Sequence, residues 1–241
     1  MRRSELLTSL RSEAWARGRQ ARDNLLSEYC RRYKLAEPPP PALIADEIIT
    51  DILRATLVYD ALELHVFAET ECVDGALVVT INNRIREMPG VIDYTGIENV
   101  AKWHEIDHIL EDGPTLKAQR PLALPGFGGG GRIVCFRSDE TARSSADWKR
   151  EFGAEEAGRA AAVSYVALAR SAAFRHFASK SGRVPGNVGW PLLQQAAKDI
   201  HVNRTALAKQ LQLEGRIVVQ EEDGRQVLYV QRGLAEYVEE P

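Results

Sequence analysis

The run His104-Glu105-Ile106-Asp107-His108 constrains this chain more than any other part of it. Histidines four residues apart share one face only if the backbone between them is α-helical, and both imidazoles can then reach a single metal ion. Ile106, Ile109 and Leu110 make the segment amphipathic. The spacing predicts a helix over 97–110, stopped by Asp112-Gly113-Pro114. Zinc accepts neutral imidazole nitrogens, and a hydrolytic zinc site keeps one position open for water. Glu105, beside the first histidine, is placed to take a proton from that water and return it to a leaving amine. The pattern is the HExxH motif of zinc peptidases. Its bland alternative is a solvated His-Glu-His cluster on a helix surface.

A third protein ligand has to come from another segment. A long Ala-rich helix is expected from about 139 to 178, and it offers Glu151, Glu155 and Glu156. Glu151 falls in line with Ala154, Ala157, Ala161, Tyr165, Leu168 and Ala172, a small apolar face on which a carboxylate is costly unless paired or metal-bound. Glu155, one turn on, could instead accept a hydrogen bond from a ligand histidine's other nitrogen. Glu156 is a further choice for ligand or supporting group, Asp139 and Glu140 are weaker ones, and all three glutamates could simply be solvated.

The flanking chain reads as follows. Residues 4–35 predict one helix with Arg-rich faces, and residues 1–34 hold nine Arg or Lys against four acids. This basic helix, residues 1–36, is read as a packing arm or as a nucleic-acid or partner contact. Pro38–Pro41 breaks the chain. A helix over 42–59 and strands over 63–68 and 76–81, joined at Asp74-Gly75, follow. Strand 76–81 could form the edge of a cleft and hold an extended substrate. Residues 88–96 read as irregular and 115–131 as a loop with a glycine run at 128–131. Residues 132–136 suggest a short strand. Residues 182–189 resemble a linker. Helices over 191–200 and 204–213, then strands over 216–220 and 226–230 with Asp223-Gly224 between them, give a winged helix-turn-helix order.

These signals predict an α+β chain: a zincin-like metallopeptidase domain over 37–181, made of helices plus a small sheet, and a winged helix-turn-helix-like domain over 187–241. The net charge of -3 argues against a protein that coats nucleic acid. Cys30, Cys72 and Cys135 form no CxxC pair, which suits a reducing compartment. The charged start and the lack of a long apolar run suggest neither a signal peptide nor a membrane span, so a cytoplasmic protein is expected.

Several of these residues carry a resemblance. Val79-Thr80-Ile81-Asn82, the His104–His108 motif, and Glu151-Phe152-Gly153-Ala154-Glu155 are similar to the ImmA/IrrE family of zinc metallopeptidases. The last run resembles that family's E-x-x-A-[DN] helix start, and Gly158–Ala162 stands where it has a Phe-Ala-Ala run. The helix-turn-helix resembles a module often fused behind that domain. The chain departs from the family in having Asp107 where Gly is common, and in the longer gap between His108 and Glu151. The resemblance implies zinc held by His104, His108 and Glu151, with Glu105 as general base. It implies an endopeptidase that cuts a helix-turn-helix transcriptional repressor and so induces a stress, phage-defence or mobile-element response.

Further expectations concern regulation. Cys135 could occupy the open zinc position as an inhibitory thiolate, or pack as a small hydrophobe beside Val134 and Phe136. Tyr94 and Tyr165 are candidate oxyanion stabilisers by residue type alone, with ordinary packing as the alternative for each. Arg204, Lys209, Arg216 and Arg225 could meet phosphates, but Glu214, Glu221, Glu222 and Asp223 oppose this. With the basic N-terminal helix as sensor, single- or double-stranded DNA is weighed as an activator. A DNA-binding regulator with an inert zinc helix is the alternative function.

Overall fold

Helix α1 (Arg3–Tyr33) is uninterrupted because no proline falls within it, and local pairs such as Ser9–Glu13 and Glu28–Arg31 support it. It ends where Lys34 turns left-handed at φ 56. The computed structural model describes residues 3–64, 66–87, 93–118, 132–136, 145–232 and 234, with backbone only at 3–4, 132–136 and 145–146.

The predicted helix over 42–59 is only half helical. Pro41–Ile44 is a 3-10 turn, α2 (Ala45–Glu47) follows, and Ile48–Ile52 is a π turn. Arg54 then reverses the chain at φ 59, and β1 (Thr56–Asp60) begins. The Thr-Leu-Val-Tyr run favours a strand, and the helical period of Ile44, Ile48 and Ile52 does not extend through it.

β2 (Val66–Val73) and β3 (Ala76–Asn82) form the expected hairpin. Asp74 and Gly75 both have positive φ, 50 and 82, as the tight turn between twisted strands requires. The sheet order is β1-β3-β2-β4, with β4 (Arg132–Phe136) antiparallel to β2 and β1 parallel to β3. Strand β3 is therefore internal, and the expected cleft edge at 76–81 is corrected: both sides of β3 are already paired.

Asn83–Glu87 is a 3-10 stretch, and α3 (Tyr94–Glu111) carries the histidines. α3 stops at Asp112, as the Asp112-Gly113-Pro114 signal predicts, but a second helix follows at once. α4 (Gly113–Ala118) starts there, because Pro114 occupies a first turn where a missing N–H does no harm. The loop reading of 115–131 thus fails for 115–118, and its remainder, with the glycine run, lies outside the described residues.

The expected helix over 139–178 is three helices: α5 (Ser145–Ala162), α6 (Tyr165–Arg170) and α7 (Ala172–Ala178). Ser164 and Ser171 break it. Their side chains accept from the N–H groups of Ala167 and Phe174 and cap the next helix. Asp139 and Glu140 lie outside the described residues.

The 182–189 linker reading is also corrected. β5 (Gly182–Pro185) pairs with β7, and α8 (Gly186–Asp199) begins at once. α9 (Arg204–Leu213), β6 (Ile217–Glu222) and β7 (Arg225–Val230) complete a three-stranded sheet of order β5-β7-β6. One apolar cluster runs from Leu25 through Trp103, Ala161 and Phe177 to Leu234, so both sheets share a core. The molecule is α+β. Among the described residues, no helix is long and apolar enough to cross a membrane.

Candidate metal centre

Helix α3 is buried on nearly every side, so its polar residues must find partners in the interior. Asp93 caps its start by accepting from the Gly96 N–H at 3.0 Å. Glu98 receives Arg86 at 3.0 Å, and Lys102 meets Asp46 at 2.6 Å. Asp107 takes a bidentate pair from Arg17 of α1, at 2.9 and 2.8 Å. The Thr70 hydroxyl of β2 donates to Glu105 Oε2 at 2.6 Å. These pairs fix the rotation of α3 between the first sheet and α5.

That rotation aims His104 and His108 at α5. Their Nε2 atoms lie 2.9 Å apart. Glu151 Oε2 is 3.4 Å from His104 Nε2, and Glu151 Oε1 is 3.5 Å from His108 Nε2. One ligand atom from each of His104, His108 and Glu151 lies within 4.8 Å of the others, and both histidines are buried. Facing imidazole lone pairs repel unless a proton or a cation lies between them. The group could hold a metal ion.

The close approach of α5 depends on Gly158, two turns after Glu151. A Cβ there would sit 2.6 Å from the backbone nitrogen of His104. On the opposite side of α5, a Cβ on Gly18 of α1 would lie 2.2 Å from the Ala157 carbonyl oxygen. Helix α5 is therefore clasped between α1 and α3.

Two observations favour a cation. Glu105 Oε1 and Glu151 Oε2 are both buried without a hydrogen bond, although His104 Nε2 stands 3.4 Å from Glu151 Oε2, a costly state for carboxylate oxygens that a bound cation would relieve. His108 is also oriented from behind, since its Nδ1 meets Asp112 Oδ2 at 2.8 Å. That arrangement fixes the tautomer that leaves Nε2 free for a metal. In the metal-free chain the same contacts shape the charges. Burial opposes charge on His108, yet Asp112 and Glu151 outweigh it and raise its pKa to about 10. Burial likewise opposes the Glu151 anion, yet His104 and His108 lower its pKa to about 2. Glu105 is shifted upward by burial, against the pull of both histidines and Thr70.

Of the expected site residues, His104, His108 and Glu151 converge, with Glu105 beside them. Glu155 and Glu156 do not join them, and both roles suggested for them are corrected. Glu155 pairs with Lys209 and Arg159. Glu156 receives the Trp15 indole N–H and Arg159. Both point toward α1 and α9 because they lie past the helical face that meets α3. Cys135 falls in β4, where its backbone pairs with Ala68; its side chain lies outside the described atoms. The Tyr165 hydroxyl donates to Glu214, and Tyr94 is exposed beneath the Arg86 guanidinium. Thr70, Asp112, Arg17 and Gly158 were not anticipated. Only Asp112 had a local signal, its i+4 spacing from His108.

No family model, curated protein or solved structure matches the chain.

Proposed function

We propose that this chain is a zinc-dependent endopeptidase. The observation that carries the reading is the buried His104, His108 and Glu151 group with an unpartnered Glu105 oxygen beside it. Two imidazoles and one carboxylate are a donor set of catalytic zinc sites, which leave one position open. Bound zinc would polarise a substrate carbonyl and lower the pKa of water. His104, His108 and Glu151 would hold the metal, and Asp112 would orient His108. Glu105 Oε1 would accept a proton and later donate it to the leaving amine. The fold would then be zincin-like, with the site helix α3 beneath β2.

The substrate class follows from the sequence resemblance: a helix-turn-helix repressor whose cleavage induces a stress, phage-defence or mobile-element response in the cytoplasm. The order α8, α9, β6, β7 supports reading residues 187–241 as a winged helix-turn-helix-like module. Its second helix suits a protein contact better than a DNA groove, because Lys209 is engaged by Glu155 and Arg204 lies over the Trp190 ring. The basic α1 is a weak case for a DNA sensor for a similar reason. Its Arg11, Arg17 and Arg19 face Glu156, Asp107 and Glu214.

The first test is metal content by mass spectrometry on wild type, His104→Ala and Glu105→Gln. The reading expects about one zinc per chain, lost with His104→Ala and kept with Glu105→Gln. Cleavage of co-expressed helix-turn-helix repressors, with and without single- or double-stranded DNA, would follow. A wild type without zinc would leave the DNA-binding regulator as the better reading.

A further inference from the structure

Strand β2 presents the row Ala68, Thr70 and Cys72 on one face, all buried. Thr70 is the polar member of that row, fully buried under α3. A buried hydroxyl is tolerated when its proton finds an acceptor, and here the acceptor is Glu105 Oε2 at 2.6 Å. Glu105 is equally buried, and its other oxygen, Oε1, has no partner. One end of the carboxylate is tethered and the other is left available.

The tether has a chemical consequence. A carboxylate so near a zinc site is itself a good zinc ligand. If Glu105 were free to turn, it could fill the open coordination position and cease to act as a base. The atoms that converge on the site come from His104, His108 and Glu151, and Glu105 is not among them. Resting on the zinc-hydrolase reading above, we propose that Thr70 is a positioning residue that holds Glu105 out of the metal's ligand set. The role belongs to the sheet, because β2 lies between β3 and β4 and cannot readily shift.

Cobalt(II) in place of zinc gives a readout independent of any substrate, since its visible absorption reports coordination. Azide serves as the probe of the open position. In the wild-type cobalt protein, azide is expected to bind and change the spectrum. Thr70→Val keeps the side-chain shape but removes the donor. Its spectrum is expected to differ from wild type without azide, and to respond at least tenfold more weakly to azide. Thr70→Ser should restore the wild-type response, and so should Glu105→Gln added to Thr70→Val. Thr70→Ala serves as a second donorless variant should Thr70→Val fail to fold, with melting curves as the check. An azide titration of a folded donorless variant that overlays the wild type would overturn the inference and leave the metal reading standing. So would a wild-type cobalt protein unresponsive to azide. A wild type that retains neither cobalt nor zinc would overturn both.

Discussion

At the scale of single residues, His108 is held from both ring nitrogens. Nε2 faces Glu151 and His104, while Nδ1 is fixed by Asp112. Asp112→Ala frees the ring to rotate and to change tautomer without disturbing the core, since the Asp112 side chain is partly exposed. Zinc affinity, measured by competition with a chelator, is expected to fall roughly 10- to 100-fold with the fold unchanged. An unchanged affinity would mean that packing alone orients the ring. The metal-free site makes a second prediction. The folded pKa of His108 lies above its ordinary 6.5, so its stabilisation is complete below that value and is lost as pH rises toward 10. The folded pKa of Glu151 lies below its ordinary 4.5, so its stabilisation is complete above that value and is lost as pH falls toward 2. The pair therefore contributes fully only between 4.5 and 6.5. Melting temperatures of chelator-treated protein should show Glu151→Gln losing most in that window and least at its flanks. Zinc should reverse the alkaline limb, because its ligands bind deprotonated. A uniform loss at all pH values would refute the coupling.

At the scale of elements, the site depends on how closely α5 approaches α3. Gly158→Ala puts a methyl group against the rigid backbone at His104, so the helices must separate. It is expected to cost about 1–3 kcal/mol, and to lower zinc stoichiometry as Glu151 retreats. Gly153→Ala on the same helix is the control. Its Cβ would meet only the Arg17 side-chain tip at 3.4 Å, and the change is expected to be neutral or to stabilise by about 0.5–1 kcal/mol. Equal melting shifts for the two variants would contradict the close-approach argument. The same elements explain what the sequence could reveal. Helix α9 and both Asp-Gly hairpins were legible because their signals are local. Strand β1 was not, because a parallel strand acquires its meaning from a partner, here β3, that the local pattern does not indicate. The breaks at Ser164 and Ser171 were hidden by an Ala-rich context that favours helix at every position. In the candidate site, HExxH singled out His104 and His108, which converge with Glu151, and Glu105 beside them. Separating Glu151 from Glu156 required the phase of α5 against α3, which no single helix encodes. Thr70 and Arg17 were invisible for the same reason, since their partners lie 35 and 90 positions away.

At the scale of the whole molecule, the C-terminal helices and hairpin are fastened by polar ties to the half that carries the candidate metal site. Glu214 accepts from Arg19 of α1 and from Tyr165 of α6. Gln210 meets Arg159 at 3.3 Å, and Lys209 meets Glu155 at 2.5 Å. The start of α3 lies so close to Val202 and Asn203 that a Cβ on Gly96 would clash with their backbone, and Asn99 donates to the His201 carbonyl at 2.9 Å. Strand β5 depends on β7 for its ladder. Removal of residues 187–241 would thus leave β5 unpaired and expose Phe174 and Phe177, which are fully buried in the intact chain. The intact protein is expected to unfold in one calorimetric transition, and residues 1–186 alone are expected not to fold stably. Glu214→Ala should strip three donors, on Arg19, Tyr165 and Gln210, of their acceptor and destabilise by about 1–3 kcal/mol, a fall of roughly 2–4 °C in melting temperature per kcal/mol at this chain length, while the transition stays single. Two resolved transitions, one surviving the truncation, would instead establish 187–241 as an independent unit. Because Lys209 grips Glu155 one helical turn from Glu151, a single transition has a further consequence: loosening the C-terminal module should weaken zinc retention in the same variants that melt early.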